Sequence, residues 1–248
     1  MFHTFAYTRD GDSTVGAELS AIQDNVLTIT NDKILPATNL NLQWAGACCI
    51  SMVSMRLNSP TLRQVSPPYL TEVIDASTPG ANDYLVTDYR ANPLEFRALE
   101  EISVQGTHDN VSDRRSFCIL TVTERQTPSP VGQPWAMRGT ATTTLVANEW
   151  TSVAMTWEDS VPNGTYSVVG LKAQGATAVA ARLIFNDQVF RPGAMAVTAI
   201  NSDIDPIMVK GNQGNWGNFT TTTMPTVQYL SHSADTSQEV ILEFVRIR

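Results

Sequence analysis

The sequence is poor in lysine and has no long apolar run. Lysine occurs only at Lys33, Lys172 and Lys210, and the chain of 248 residues carries a formal net charge of −8. A protein that binds nucleic acid directly neutralises phosphates with clustered Lys and Arg, so direct genome binding is not expected. No stretch approaches the roughly 20 apolar residues that span a bilayer. The first residues, MFHTFAYTRDGD, have neither the basic leader nor the apolar core of a signal peptide. We therefore expect a protein that is made in the cytoplasm and has no membrane anchor.

Cysteine is also scarce, with Cys48, Cys49 and Cys118 as the three examples. Adjacent residues of a strand point to opposite faces, so Cys48 and Cys49 are not expected to pair with each other. The spacing does not match a zinc site, which needs about four Cys or His ligands. We expect three buried free thiols that pack as small apolar side chains.

Motifs for catalysis are missing as well. The sequence contains no GxSxG, P-loop, HExxH or dinucleotide fingerprint. His108 and His232 align between the two halves of the chain, both in polar turn-like sequences, which indicates a shared turn. A catalytic histidine needs a nucleophile or a carboxylate aimed at it. We expect no enzyme activity and no cofactor.

Two pairs of carboxylates stand two residues apart, Asp10 with Asp12 and Asp203 with Asp205. Hard cations such as Ca²⁺ use carboxylates at this spacing, but neither pair completes an EF-hand loop. Solvated turns are the simpler interpretation, and cation binding at these pairs is left open.

What the sequence does contain is an internal repeat. The stretch 46–74 recurs as 174–200, and Arg56-Leu57 aligns with Arg182-Leu183 at an offset of 126 residues. The same offset, carried backwards without a gap, adds five identical pairs: Leu19/Leu145, Ala21/Ala147, Thr30/Thr156, Pro36/Pro162 and Val53/Val179. Further along, the offset drifts, which is typical of surface loops that have changed length: Arg63/Arg191, His108/His232 and Ile119/Ile241. A repeat of half the chain length predicts two related domains.

The pattern within each half predicts short β-strands. Apolar or alternating runs such as 26–30, 40–44, 49–57 and 117–123 are separated by clusters of Pro, Gly, Asn and Asp. We predict an all-β fold of two tandem jelly-roll β-sandwiches, related by internal duplication. The predicted domains are residues 1–126 and 135–248, joined by a proline-rich linker at 127–134.

The segment 92–101, NPLEFRALEE, leaves two alternatives open. Asn92 fits a helix cap, and Pro93 fits the first helical position. Leu94 and Phe96 alternate as they would in a strand, and the repeat counterpart near WGNFTTTTMP is rich in Thr and Gly.

These features together resemble the double jelly-roll major capsid proteins of membrane-containing icosahedral bacteriophages. The resemblance rests on the tandem repeat, the pairs Pro36/Pro162 and Arg56-Leu57/Arg182-Leu183, the similar closing strands and the proline-rich linker. In size the chain is similar to the smallest members, from lipid-containing phages of Flavobacterium. The resemblance implies a structural protein of the virion, assembled in the host cytoplasm as pseudo-hexagonal trimers. It also implies a penton protein as a partner and an internal lipid membrane beneath the shell.

Two other functions remain as alternatives. One is a tandem β-sandwich module for carbohydrate binding or host attachment, and the other, less favoured, is an enzyme. For the capsid hypothesis, apolar residues in loops mark the expected contacts between copies. These candidate interface residues are Tyr69, Tyr84, Tyr89, Trp216 and Phe219.

Overall fold

The structure is a computed structural model of the chain, and it describes residues 1–10, 17–49, 52–63, 69–71, 84–108, 115–125, 128, 130–196 and 214–248. Next to the gaps, the side chains of residues 48, 49, 52–54, 62, 63, 69–71, 84–86, 107 and 108 lie outside this description. Strands joined by loops and turns make up the described residues, together with one helix of four residues, α1 (Pro60–Arg63). The predicted all-β fold is confirmed.

The strands of the first half end at residue 123. They are β1 (Phe2–Asp10), β2 (Ala17–Glu18), β3 (Ser20–Ala21), β4 (Thr28–Thr30), β5 (Lys33–Leu35), β6 (Leu40–Cys49), β7 (Met52–Asn58), β8 (Tyr69–Thr71), β9 (Tyr84–Asp88), β10 (Leu94–Phe96), β11 (Ser103–His108) and β12 (Arg115–Thr123).

The strands of the second half begin at residue 134. They are β13 (Pro134–Ala141), β14 (Trp150–Val153), β15 (Thr156–Trp157), β16 (Thr165–Gly175), β17 (Ala178–Ile184), β18 (Gly193–Met195), β19 (Gly217–Thr220), β20 (Thr226–Ser231) and β21 (Gln238–Arg246).

Contacts between Cα atoms divide the chain into two compact units. The first unit is Phe5–Glu124, and the second unit is Arg125–Arg248 together with Met1–Thr4. The predicted linker, 127–134, lies in the connection from β12 to β13, although Pro134 already belongs to β13. The predicted domain boundaries remain a prediction, and they did not include the N-terminal residues of the second unit.

Both units have the strand order of a jelly roll. In this fold the first, eighth, third and sixth strands form one sheet, and the second, seventh, fourth and fifth form the other. The first unit places β1, β12 and β6 side by side, with β9 and β10 both paired to β6, and its other sheet is β2-β11-β7-β8. The second unit has β13-β21-β16-β19 and β14-β20-β17-β18. The two tandem jelly rolls of the prediction are therefore present, with matching strand order.

The duplication extends to an irregularity of the third strand. Leu42 in β6 and Val168 in β16, 126 residues apart, lie opposite equivalent residues of the eighth strands. Each ladder then contains one extra residue on the third strand, at Gln43 in the first unit and at Val169 in the second. A β-bulge inserts one residue and bends the strand, and such features are kept within families. The same bulge at the same offset supports duplication independently of residue identity.

The fourth strands are equivalent in the same way. Arg56 in β7 lies opposite Gln105, and Arg182 in β17 lies opposite Gln228. Each fourth strand also carries an extra residue near its start, where the ladder shifts register between Met52 and Ser54 or between Ala178 and Ala180. The alignment of Arg56 with Arg182 is confirmed.

The ungapped alignment is wrong in the second strands. Glu18 in β2 and Ser152 in β14 lie opposite the two equivalent glutamines, so the offset there is 134 residues. Leu19 is consequently not the structural equivalent of Leu145. The reason is a difference in chain length after the second strand, where the first unit contains the β4–β5 hairpin. Surface connections tolerate such insertions.

The predicted equivalence of His108 and His232 is also wrong. His108 is the last residue of β11, opposite Met52, and Ser231 occupies the corresponding place opposite Ala178. His108 therefore lies in a strand, and His232 follows the end of β20.

The segment 92–101 contains a strand and not a helix. Residues Leu94–Phe96 form β10, which pairs antiparallel with Leu40–Leu42 of β6. Phe96 is fully buried. Its counterpart in the second unit is Phe219 of β19, which pairs with Tyr166 of β16. Pairing with the third strand decided between the two alternatives.

Aromatic rings pack against one another in the core, and tyrosine hydroxyls connect the two sheets of each unit. In the second unit, the rings of Tyr166, Phe219 and Phe244 have mutual centroid distances of 5.2 to 5.3 Å. The hydroxyl of Tyr229 donates a hydrogen bond to the backbone oxygen of Glu239 at 2.7 Å, which joins β20 to β21. In the first unit, the hydroxyl of the buried Tyr7 donates to the backbone oxygen of Ile102 at 2.7 Å.

Cys118 lies in this core as a free thiol, as predicted. It belongs to β12, is fully buried, and its thiol pKa is raised by burial. The side chains of Cys48 and Cys49 lie outside the described part of the chain, and their state stays a prediction.

We expect the thiol of Cys118 to resist alkylation in the native protein. Burial excludes the reagent and disfavours the reactive thiolate. Iodoacetamide at pH 8 followed by peptide mass spectrometry is expected to leave Cys118 unmodified in buffer and to modify it fully in urea without reductant. Rapid modification in buffer, or a crosslinked peptide that contains Cys118, would show that the core packing around β12 is different.

Candidate assembly surfaces

Two of the five predicted interface residues are buried within the second unit. Trp216 is 1% exposed, and its ring centroid lies 6.3 Å from that of Phe2. Phe219 is 1% exposed and stacks on Tyr166. The prediction that these two side chains form an exposed apolar patch is wrong. The cause is tertiary: β19 pairs with β16, which turns Phe219 into the core, and the N-terminal residues pack beside Trp216.

The other three predicted interface residues are tyrosines, and the structure does not show them buried in the core as Trp216 and Phe219 are. The backbones of Tyr69 and Tyr84 lie in β8 and β9, and their side chains are outside the described part of the chain. Tyr89 follows β9, is partly buried, and has a raised pKa because of that burial. Its backbone N–H donates to the oxygen of Gln43 at 2.8 Å. An interface role for these tyrosines stays a prediction.

A buried guanidinium organises one surface of the second unit. Arg182 is 1% exposed; its Nε donates to Oε1 of Gln228 at 2.9 Å, and its Nη1 donates to the backbone oxygen of Thr4 at 3.0 Å. Its Cζ lies 4.0 Å from the ring centroid of Trp150. A planar guanidinium can donate hydrogen bonds within its plane while its face contacts an aromatic ring. Arg182 thereby holds the N-terminal residues against β17.

The N-terminal segment, which we define as residues 1–4, makes further contacts beside Arg182. The backbone N–H of Thr4 donates to the oxygen of Arg191 at 2.8 Å, and the N–H of Arg191 donates to Nδ1 of His3 at 3.0 Å. The ring of His3 lies 5.6 Å from that of Phe190. These contacts anchor both the backbone and the side chains of the segment.

The repeat alone shows Arg182 as an aligned position and does not reveal this role. One signal was present: a single charged residue stands in the apolar run 178–185, AVAARLIF. Charged residues are almost never fully buried unless their polar groups have partners, so an arginine in such a run indicates a buried hydrogen-bonded site. Its partners could not be read from sequence because Thr4 lies 178 residues away.

The equivalent arginine of the first unit has part of this arrangement. Nη2 of Arg56 donates to Oε1 of Gln105 at 2.6 Å, as Arg182 does to its own glutamine. Arg56 is partly exposed. Gln105 is its side-chain hydrogen-bond partner among the residues that the structure describes.

The outward face of the β13–β21–β16 sheet carries alternating charges. Arg138 contacts Glu158 at 2.5 Å and Glu239 at 2.7 Å. The hydrogen bond from Arg138 lowers the pKa of Glu239 below its usual value. Nζ of Lys172 lies 3.9 Å from Oε1 of Glu243. Exposed pairs of this kind contribute little to stability, but they give the face a defined charge pattern.

An open groove runs beside the start of β13. It has a volume of about 590 Å³, and polar backbone and the side chain of Glu243 line it together with apolar side chains: Pro130, Gly132, Pro134, Trp135, Ala136, Val169, Glu243 and Val245. Val131, in the same stretch, is 98% exposed. An exposed apolar side chain beside a groove that is partly lined by apolar side chains is typical of a contact site.

The described titratable groups do not form a recognisable reactive centre. Across the described ranges, no group of three or more His, Cys, Asp or Glu side chains is placed to hold a metal ion. Asp10 forms an ion pair with Arg115 at 2.6 Å, while Asp12, Asp203 and Asp205 lie outside the described residues. Burial lowers the pKa of His232, and the nearby Asp235 opposes this shift.

Helices contribute little to any site in this fold. Within the described residues, none has the length and apolar character of a membrane-crossing helix.

Comparisons with known proteins give one structural likeness. No protein-family model and no curated protein sequence matches the chain. The chain is similar to the crystal structure of the major capsid protein P2 from Bacteriophage PM2, with 6% sequence identity and a TM-score of 0.26. The match covers 100% of this chain and 98% of that one. The strand order of the two units, and not this likeness, defines the fold.

We expect Trp216→Ser to destabilise the second unit. The substitution removes a buried aromatic side chain, which costs about 3 to 5 kcal/mol for comparable truncations. Urea unfolding followed by fluorescence measures the loss, and Trp157→Ser, at a partly exposed position of edge strand β15, serves as the control with a smaller effect. A stable Trp216→Ser protein with impaired assembly would instead restore Trp216 as an interface residue.

We expect Arg182→Lys and Arg56→Lys to differ although the positions are equivalent. A lysine at 182 cannot reproduce the planar fork that reaches Gln228, Thr4 and Trp150, and hydrogen bonds to charged groups contribute about 1.5 to 3 kcal/mol each. The melting temperature of the isolated chain is therefore expected to fall by several degrees for Arg182→Lys and to change little for Arg56→Lys. Equal shifts would contradict a special role for Arg182.

Proposed function

We propose that the protein is a viral major capsid protein that assembles as trimers into an icosahedral shell. The observation that carries the proposal is the duplicated jelly roll: one chain contains two units with the same strand order and the same bulge in the third strand. Jelly rolls are a recurrent fold of viral capsid and lectin domains. The duplication is what favours the capsid among these uses.

Two similar units per chain suit a lattice that is built from trimers. Three copies supply six similar units around one axis, so a threefold particle has a nearly hexagonal outline. Closed cyclic assemblies use head-to-tail contacts, in which different patches of adjacent copies meet. The eighth strands of the two units differ at equivalent positions: Glu239 and Glu243 of the second unit are partly exposed, whereas Phe117 and Thr121 of the first unit are buried.

The proposal places the protein in the virion, after assembly in the host cytoplasm. Its main partner is itself, and further partners are a penton protein at the fivefold positions and an internal lipid membrane. The net charge of −8 opposes direct contact with nucleic acid, so other virion components are expected to separate the genome from this protein.

We expect the purified protein to form trimers and, at high concentration, closed particles. Native mass spectrometry of gently dissociated material should show a dominant species of three chains, and negative-stain micrographs should show shells. Monomers or dimers under all assembly conditions would contradict the proposal. A monomer that binds a reproducible ligand on a glycan array would favour the alternative carbohydrate-binding module.

A further inference from the structure

The two jelly rolls begin with strands that differ in their surroundings. The first residues of β1, Phe2–Thr4, lie on the second unit, where the oxygen of Thr4 accepts a hydrogen bond from Arg182. The first residues of β13, at 134–136, are the corresponding start of the other jelly roll, since β1 and β13 each pair with the eighth strand of their sheet. Pro134 and Ala136 are exposed, and Trp135 is partly exposed.

Arg182, which contacts the first residues of β1, has an equivalent in the first unit. Arg56 has the same register and the same glutamine partner as Arg182. It differs in burial: Arg182 is 1% exposed, whereas Arg56 is partly exposed. The chain thus has two strand starts and two arginine–glutamine pairs. Within the second unit, the start of β1 contacts the Arg182–Gln228 pair.

We propose that the remaining two elements meet between copies: the start of β13 of one copy lies over the Arg56–Gln105 pair of the next copy. Arg56 then donates a hydrogen bond to a backbone oxygen near Ala136, as Arg182 does to Thr4. The inference rests on the proposed trimer and names the residues of its contact. Each copy carries both elements, the start of β13 and the Arg56–Gln105 pair, so the contact is head-to-tail and three such contacts can close a ring.

The surface around the start of β13 fits this occupant. The groove of about 590 Å³ and the exposed Val131 supply apolar area for burial. Glu243 lines the same groove, which places an acidic group where the cationic Arg56 of the neighbour would approach. Complementary charge of this kind fixes the register of a contact more than its affinity.

Crosslinking between two different variants tests the contact directly. One preparation carries Arg56→Cys and the other carries Ala136→Cys, and the two are mixed during assembly and oxidised mildly. We expect a reducible band of two chains on a denaturing gel from the mixture and none from either variant alone. The partners must come from different chains, because no single chain contains both new cysteines.

The controls separate this inference from the trimer itself. Val189→Cys, at another exposed apolar residue of the second unit, replaces Ala136→Cys in a parallel mixture and is expected to give no band. Trimers that form without the Arg56–Ala136 crosslink, or an equally strong band with Val189→Cys, would overturn the contact while leaving the trimer intact. Absence of trimers in the unmodified protein would overturn the proposed function first. If Arg56→Cys fails to fold, Gln105→Cys takes its place on the same surface.

A charge substitution gives a second, independent readout. Val131→Asp places a carboxylate at a side chain that is 98% exposed in the single chain, so its melting temperature should not change. Burial of this charge in the contact is expected to weaken the trimer: the protein concentration needed for half of the chains to form trimers should rise at least tenfold. Val189→Asp is the matched control, with both properties unchanged. Trimers of normal strength with Val131→Asp would remove the 130–136 stretch from the interface.

Discussion

The register of the eighth strand is the constraint on which each unit depends. β12 and β21 each lie between the first and third strands of their sheet, so their pairing sets the position of both neighbours. In β21, Val240, Leu242 and Phe244 are fully buried and alternate with charged or partly exposed residues. A slip by one residue would exchange the two faces, so the buried set specifies a single register. The bulge in each third strand is fixed relative to this ladder, which explains why it survives in both units.

The second unit adds a buried charge to this frame, and it shows how a duplicated position can acquire a new role. Both fourth strands carry an arginine opposite a glutamine. In one unit the guanidinium is enclosed by Trp150 and by the backbone of residues 1–4. A buried guanidinium is tolerated because its donors have acceptors and its face has an aromatic ring. The fold supplies the position, and the surroundings decide whether the arginine is a core group or a surface group.

The eighth strands give a second example of equivalent positions in different surroundings. Glu239 of β21 is charged and partly exposed, whereas the equivalent Phe117 of β12 is buried. Equivalent positions of one fold can therefore carry a charged, partly exposed residue in one unit and a buried aromatic residue in the other.

The sequence by itself determined the all-β class, the duplication and the equivalence of the third and fourth strands. Those features are encoded by local alternation and by repeated residues at a constant spacing. The tertiary structure alone decided that 92–101 contains a strand, how the second strands of the two units align, and that Trp216 is buried. Each of these depends on a partner that is distant in sequence: β10 on β6, β14 on β20, and Trp216 on Phe2. Local pattern describes what a segment can pair with, but the long-range contact selects the partner and thereby decides which side chains are buried.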